Sequence, residues 1–189
     1  MQNRIAFFIL LLTANICWSQ PGNTGFNAQD RLAIKNLINA YAVHWDSGNV
    51  DEYFLLFTDD ALSLSYVAGQ PVTSKLKKES AIESAKQRVA FFKKNKMQRR
   101  HIMSSTFFLR QTSHEAEAIQ YCLLITTDTN SPKERSNINP SENSIQSRIV
   151  SPIVYHFVFT KENGVWKIRS REMKLDKPLD VPLDVPKNR

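Results

Sequence analysis

The sequence predicts a single α+β domain, with helices on one face of a bent, mostly antiparallel sheet. Helical periodicity dominates the stretch from residue 27 to 95, and four segments rich in β-branched and aromatic residues follow one another after residue 100. Composition agrees. A chain of 189 residues with 42% hydrophobic and 23% charged side chains is ordinary for one globular domain, and it excludes collagen-like, disordered and disulfide-stapled proteins. Only one stretch is continuously apolar, which excludes a multi-span membrane protein.

The first helix is capped by Asn27, runs to Ser47 and stops at Gly48. Ile34, Ile38, Tyr41 and Trp45 recur at steps of four, three and four, which is one helical face. Asp51 to Phe57 reads as a second, short helix. Ala61 to Val67 alternates apolar and small polar residues, with Leu62, Leu64 and Tyr66 on one side, and so reads as a strand. Gly69-Gln70-Pro71 breaks it, and Ser74 to Asn95 reads as a third helix burying Leu76, Ile82, Ala85, Val89 and Phe92. Strands are expected over 100–110, 115–126, 148–161 and 165–173. Asn163-Gly164 is a strong hairpin turn between the last two, and residues 111–114 suit a turn between the first two. The polar stretch 127–147 reads as a long loop, and the prolines at 178, 182 and 186 suggest an extended arm.

Residues 1–19 have the order of a cleavable export signal: Arg4, an apolar run from Ile5 to Ile16, then small residues before a cut after Ser19. The run is too short to span a bilayer. The expected organisation is therefore a signal over 1–19, a lead-in over 20–26, one domain over 27–176 and a proline-rich tail over 177–189, with the protein secreted or periplasmic. Cys17 would leave with the signal, so Cys122 alone remains and no internal disulfide can form. The net charge of +7 is spread over 75–78, 93–100 and the C-terminal part. A nucleic-acid reader shows a concentrated stripe or a named motif, and neither is present. No nucleic-acid partner is expected, nor a membrane partner after signal cleavage.

Several chemistries have no motif in this chain. A phosphate-cradling glycine loop, a nucleophile elbow, and Cys or His pairs at metal-ligand spacing are all missing, so no metal or organic cofactor is expected. His114 falls in a turn and His156 inside a strand. What remains is a set of protic side chains on different elements. Asp46 sits at the end of the first helix, where the dipole is negative and a carboxylate is poorly placed. Tyr41 and Asp46 are about 140° apart around a regular helix, so they can flank a pocket without sharing its centre. His101 begins a strand and shares a face with Met103. An imidazole can accept and return a proton near neutral pH, and an aspartate beside it would fix its tautomer.

These residues also carry a family resemblance. Asp30, Ile34, Leu37, Ile38 and Tyr41, then Trp45-Asp46-Ser47-Gly48-Asn49-Val50-Asp51, then Leu56-Phe57 through Ala61, resemble the opening of SnoaL-like proteins in the NTF2-like superfamily. Arg100-His101 after a long helix, and Gly164-Val165-Trp166-Lys167-Ile168 leading to Arg171, are similar to later family motifs in the same order. The resemblance implies a cone: a strongly curved antiparallel sheet packed on three N-terminal helices and enclosing a pocket. Dehydratases of the scytalone and bile-acid type are more similar than polyketide cyclases. By that resemblance Asp46 and His101 take the acid–base pair and Tyr41 the tyrosine before it, while Arg171 matches an arginine near the end of the last strand. Trp45 stands where scytalone dehydratase has a tyrosine, and its second histidine falls near Ser151 here.

The implied function is cofactor-independent acid–base chemistry of the dehydratase, isomerase or cyclase type on a small hydrophobic ring compound. His101, Asp46 and Tyr41 would be catalytic. Trp45, Phe57, Leu64, Tyr66, Met103, Tyr121, Tyr155 and Arg171 would contact the substrate, in an apolar pocket. The alternative is a non-catalytic module that binds a ligand or pairs with a partner. A homodimer is expected from the resemblance.

Overall fold

A computed structural model describes residues 27–67, 70–128 and 146–175. The readings of a signal, a lead-in and a proline-rich tail lie outside the described residues, as does most of the polar stretch between 127 and 147. Helix α1 spans Ala28–Ser47, α2 Val50–Leu55 and α3 Glu79–Lys94. The strands are β1 Phe57–Val67, β2 Gln70–Lys75, β3 Met97–Gln111, β4 Glu115–Asp128, β5 Gln146–Glu162 and β6 Val165–Leu175. They form one sheet in the order β2-β1-β6-β5-β4-β3, antiparallel throughout except where β1 runs parallel to β6.

Local chemistry sets the ends of α1. The Asn27 carboxamide oxygen accepts from the amides of Gln29 and Asp30, satisfying donors that the first turn leaves free. At the other end Gly48 adopts φ +74, its N–H meets the Trp45 carbonyl, and the Asn49 N–H meets that of His44. Glycine is needed there twice over, since a Cβ at residue 48 would lie 2.8 Å from Val89 Cγ1 on α3. Asp30 locks α1 to the β5–β6 hairpin, accepting from Lys161 Nζ at 2.8 Å and from the Trp166 indole at 2.9 Å. The hairpin turn is Asn163-Gly164, both at positive φ.

Several element boundaries differ from the sequence reading: α2 ends at Leu55, β1 begins at Phe57 and β3 begins at Met97. Residues 70–75 form a strand, so α3 begins at Glu79. Leu76 is buried in the connection and not in the helix. Gln70 and Pro71, read as part of a break, are paired with β1 as the first residues of β2, a strand exposed along its whole length. An exposed edge strand carries no apolar alternation to reveal it, and Pro is tolerated on such an edge. The polar stretch is also shorter at both ends, because β4 continues to Asp128 and β5 begins at Gln146.

The core lies between α1, α2 and the concave face of the sheet. On β4, Ala116, Ala118, Cys122 and Leu124 face inward. On β5, Ile153, Tyr155, Phe157 and Phe159 do so, and on β6, Trp166 and Ile168. The aromatic residues Tyr155 and Phe157 of β5 pack against Tyr41 of α1. Register shifts within β3 (103/106 and 108/110), β4 (124/125) and β5 (158/159) bend the strands, as bulges do, and the sheet curls around the helices.

Candidate functional site

Two elements bring the acid–base candidates together. The last turn of α1 carries Asp46, and the start of β3 carries His101. Asp46 Oδ1 lies 2.7 Å from His101 Nδ1, and Oδ2 accepts the His101 backbone N–H at 2.7 Å. Both side chains are nearly enclosed, at 7% exposure for His101 and 6% for Asp46. The aspartate's poor position against the helix dipole is therefore offset by two donors from a strand 55 residues away. The Gln98 carboxamide, 2.9 Å from the Asp46 carbonyl oxygen, helps hold the helix end against the strand.

With Nδ1 facing a carboxylate, the imidazole carries its proton there and leaves the Nε2 lone pair available. The Tyr41 ring stands edge-on to His101 at 6.4 Å between centroids. The helical offset of Tyr41 and Asp46 is thus bridged by the histidine, which has the carboxylate on one side and the phenol on the other.

Tyr41 belongs to a second group. Arg171 on β6 donates from Nη1 to the hydroxyl oxygens of Tyr41 at 2.6 Å and Tyr53 at 3.1 Å, and from Nη2 to Ser63 Oγ at 2.8 Å. Tyr53 and Tyr155 pack against Tyr41 at 5.2 and 5.7 Å. Burial, and then the neighbouring Tyr41, holds the hydroxyls of Tyr53 and Tyr155 well above the ordinary phenol range. Both therefore stay protonated and act only as neutral hydrogen-bonding groups. Burial alone would weaken the hold of Arg171 on its proton, but the oxygens of Tyr41, Tyr53 and Tyr155 outweigh it and shift the guanidinium upward. Burial, and then the charge of Asp46, pushes the Cys122 thiol up to about 12, so it is no nucleophile.

Of the residues expected to contact substrate, Trp45 stacks on Tyr53 at 4.9 Å and borders a cavity of about 80 Å³ beside Asp46, between α1, α3 and the start of β3. Met103 packs against the core next to the histidine face, and Tyr155 and Phe57 are fully buried in the aromatic cluster. Arg171 is central to the site. Leu64, Tyr66 and Tyr121 are corrections. Tyr66 and Tyr121 are exposed on the convex side of the sheet, where the Tyr66 hydroxyl bonds Glu172, and Leu64 shares that side with Tyr66. Alternation separates the two faces of a strand but does not say which one a helix covers. On β1 the covered face carries Ala61 and Ser63, small residues beneath closely packed helices.

Tyr53 and Ser63 are the members of the site that the sequence reading missed. Ser63 gave no signal. Tyr53 did, because a tyrosine on the apolar side of a short helix must find a polar partner once buried. His156, inside a strand as expected, stands on the convex face 2.6 Å from Glu117 and 3.6 Å from Glu172. A groove of about 490 Å³ between the α1 end, α2 and α3 involves none of the candidate residues.

A family profile described as "SnoaL-like domain" matches residues 27–172. Among solved structures the fold is similar to that of a Novosphingobium aromaticivorans protein provisionally assigned as a scytalone dehydratase. Identity is 19%, the TM-score 0.57, and the match covers 79% of this chain and 85% of that one. ActVI-ORFA from Streptomyces coelicolor matches at 16% identity and TM-score 0.56, over 78% of this chain and 98% of its own. A Catenulispora acidiphila protein in complex with S-DNPA matches at 17% identity and TM-score 0.56, over 79% and 96%. Identities this low establish the fold alone. No curated protein matches the sequence.

Proposed function

This chain belongs to the SnoaL-like family of the NTF2-like superfamily, and on that premise we propose that it is a cofactor-independent acid–base enzyme acting on a small hydrophobic ring compound. The observation that carries the reading is the Asp46–His101 pair, two side chains from distant segments meeting with both carboxylate oxygens engaged. A carboxylate on Nδ1 makes Nε2 the base and stabilises the imidazolium that proton uptake creates. In a dehydration, Nε2 takes a proton beside a carbonyl and the C–H electrons form an enolate. The imidazolium then protonates the departing hydroxyl, which leaves as water as the enolate collapses. Isomerisation and ring closure use the same transfers with a different acceptor. Tyr41, whose oxygen already accepts from Arg171, is a polarised O–H donor for the developing oxyanion.

The test is mass spectrometry of small molecules retained by the purified protein, followed by turnover of the compound found. His101→Ala should cost at least about 100-fold in rate, the low end for lost general catalysis. Unchanged turnover refutes the assignment. A second reading, binding without turnover, is supported by Ser151, which stands where the resembled dehydratase has its second histidine. Its hydroxyl donates to the Pro152 carbonyl at 2.8 Å and supplies no second base. A retained compound that stays chemically unchanged under all conditions favours that reading.

Export and homodimerisation belong to the same proposal. The N-terminal pattern supports export, and a mature protein beginning at Gln20 on N-terminal sequencing is the expected result. The convex face leaves Tyr66, Ile102, Phe107 and Tyr121 exposed, a surface suited to a second copy. Light scattering should give twice the monomer mass for the native protein and the monomer mass for Ile102→Glu.

A further inference from the structure

Arg171 is a cation in the cone with no anion beside it. A guanidinium has five N–H donors, and here three hydrogen bonds are made, all to the neutral hydroxyls of Tyr41, Tyr53 and Ser63. Nε is buried without a partner. Among the described residues no carboxylate pairs with it. Asp46 is committed to His101. Glu172, the next residue along, faces the opposite side and binds Tyr66 and Lys174.

On the neighbouring strand the partly buried Lys161 does have an acid, Asp30, at 2.8 Å. A charge buried among neutral groups is destabilising, and an arginine serving only to tie helices to strands gains nothing from lacking a counter-ion. The tyrosine oxygens that accept from Nη1 must also aim their own protons away from the guanidinium. The Tyr41 ring, edge-on to the His101 imidazole at 6.4 Å, is backed by that positive charge.

We infer that this cluster is an anion site: the ligand is a ring compound bearing an anionic oxygen, received by the Tyr41 and Tyr53 hydroxyls with the Arg171 charge behind them. The inference rests on the proposed reading of this part of the cone as a ligand site, but it does not require turnover. An aromatic acid would supply the missing counter-charge in one step.

The experiment is calorimetric titration of the full protein with 2-naphthoate and with 2-naphthamide, which share a shape and differ in charge. The native protein should bind the acid at least tenfold more tightly than the amide. Arg171→Gln should bring the two within about twofold of each other, and Arg171→Lys should keep a preference of several-fold. His101→Ala should keep the full preference, so that a failure of the acid–base reading leaves this result standing. Equal affinities in the native protein, binding of neither probe, or a preference that persists in folded Arg171→Gln overturns the inference. If the glutamine variant does not fold, the native and lysine titrations decide.

Discussion

Asp46→Asn is the substitution that isolates the central pair, since it keeps the shape and removes the charge. The carboxylate accepts two hydrogen bonds, from the His101 backbone N–H and from Nδ1, each at 2.7 Å. An amide has one oxygen to offer. If that oxygen keeps the backbone N–H, the new NH₂ faces Nδ1, and the ring avoids a donor–donor clash only by moving its proton to Nε2. The nitrogen that should act as base is then protonated. Lost general catalysis is typically a factor of 10²–10⁴. One charge-assisted hydrogen bond is also replaced, which costs roughly 1.5–3 kcal/mol, and for a domain of this size that lowers Tm by about 3–12 °C. Nitrogen NMR of the His101 ring reads the tautomer without any substrate. Nδ1–H is expected in the native protein and Nε2–H in the variant. If both proteins show the same tautomer and melt together, the carboxylate does not orient the imidazole, and the acid–base assignment loses its basis.

Gly48→Ala should destabilise by about 1–2 kcal/mol from the left-handed backbone alone. Displacing Val89, which a Cβ would meet at 2.8 Å, adds to that, and a chemical denaturation midpoint measures the sum. A midpoint equal to that of the native protein would show that the α1 stop is not under constraint. The Asp30 carboxyl is held below the usual carboxylate range by hydrogen bonds from Lys161 and Trp166. Its contribution is therefore present above the unfolded pKa, about 3.9, and is lost as pH falls through the lower folded value. Urea midpoints should fall below about pH 4, and Asp30→Asn should flatten that acid limb while lowering stability at neutral pH. With its thiol pushed up to about 12, Cys122 should react with a disulfide reagent at pH 8 no faster than the protein unfolds. Rapid labelling of the native state would contradict the burial.

The elements that were legible in the sequence are those whose two faces differ strongly. On α1 the apolar stripe, the Asn27 cap and the Gly48 stop agree with one another, and the helix has the bounds they imply. The Asn163-Gly164 turn fixes the register of β5 and β6 for a similar reason: only a turn with two positive φ values suits the twist of the strands. Strand β2 was illegible because nothing covers it. A fully exposed edge strand is written in turn and polar residues, and its serine, threonine and lysines read equally well as a helix start. The same ambiguity inverted β1. Leu64 and Tyr66, which share one side with Leu62, were expected to contact substrate, yet the covered face is the one with alanine and serine.

The dyad was partly legible, and through electrostatics rather than pattern. A carboxylate in the last turn of a helix is disfavoured by the dipole, so something from outside the helix had to compensate it. Spacing cannot name that partner, because 55 residues and a hairpin intervene. His101 was a candidate from its chemistry and strand face, the family resemblance matched it with Asp46, and the fold supplies the reason: the register that sets β3 against β4 puts His101 opposite Leu124, at the end of the strand nearest the α1 stop. The arginine cluster lay beyond reach in a different way. Tyr41, Tyr53, Ser63 and Arg171 come from four elements, and only the parallel pairing of β1 with β6, which sets Ser63 against Arg171, assembles them. A parallel neighbour formed by strands more than 100 residues apart leaves no local trace. That pairing also explains why the guanidinium can lack a counter-ion without unravelling the cone. Its donors are held by hydroxyls on two helices and a strand that the aromatic core already fixes in place, so the charge is positioned by packing.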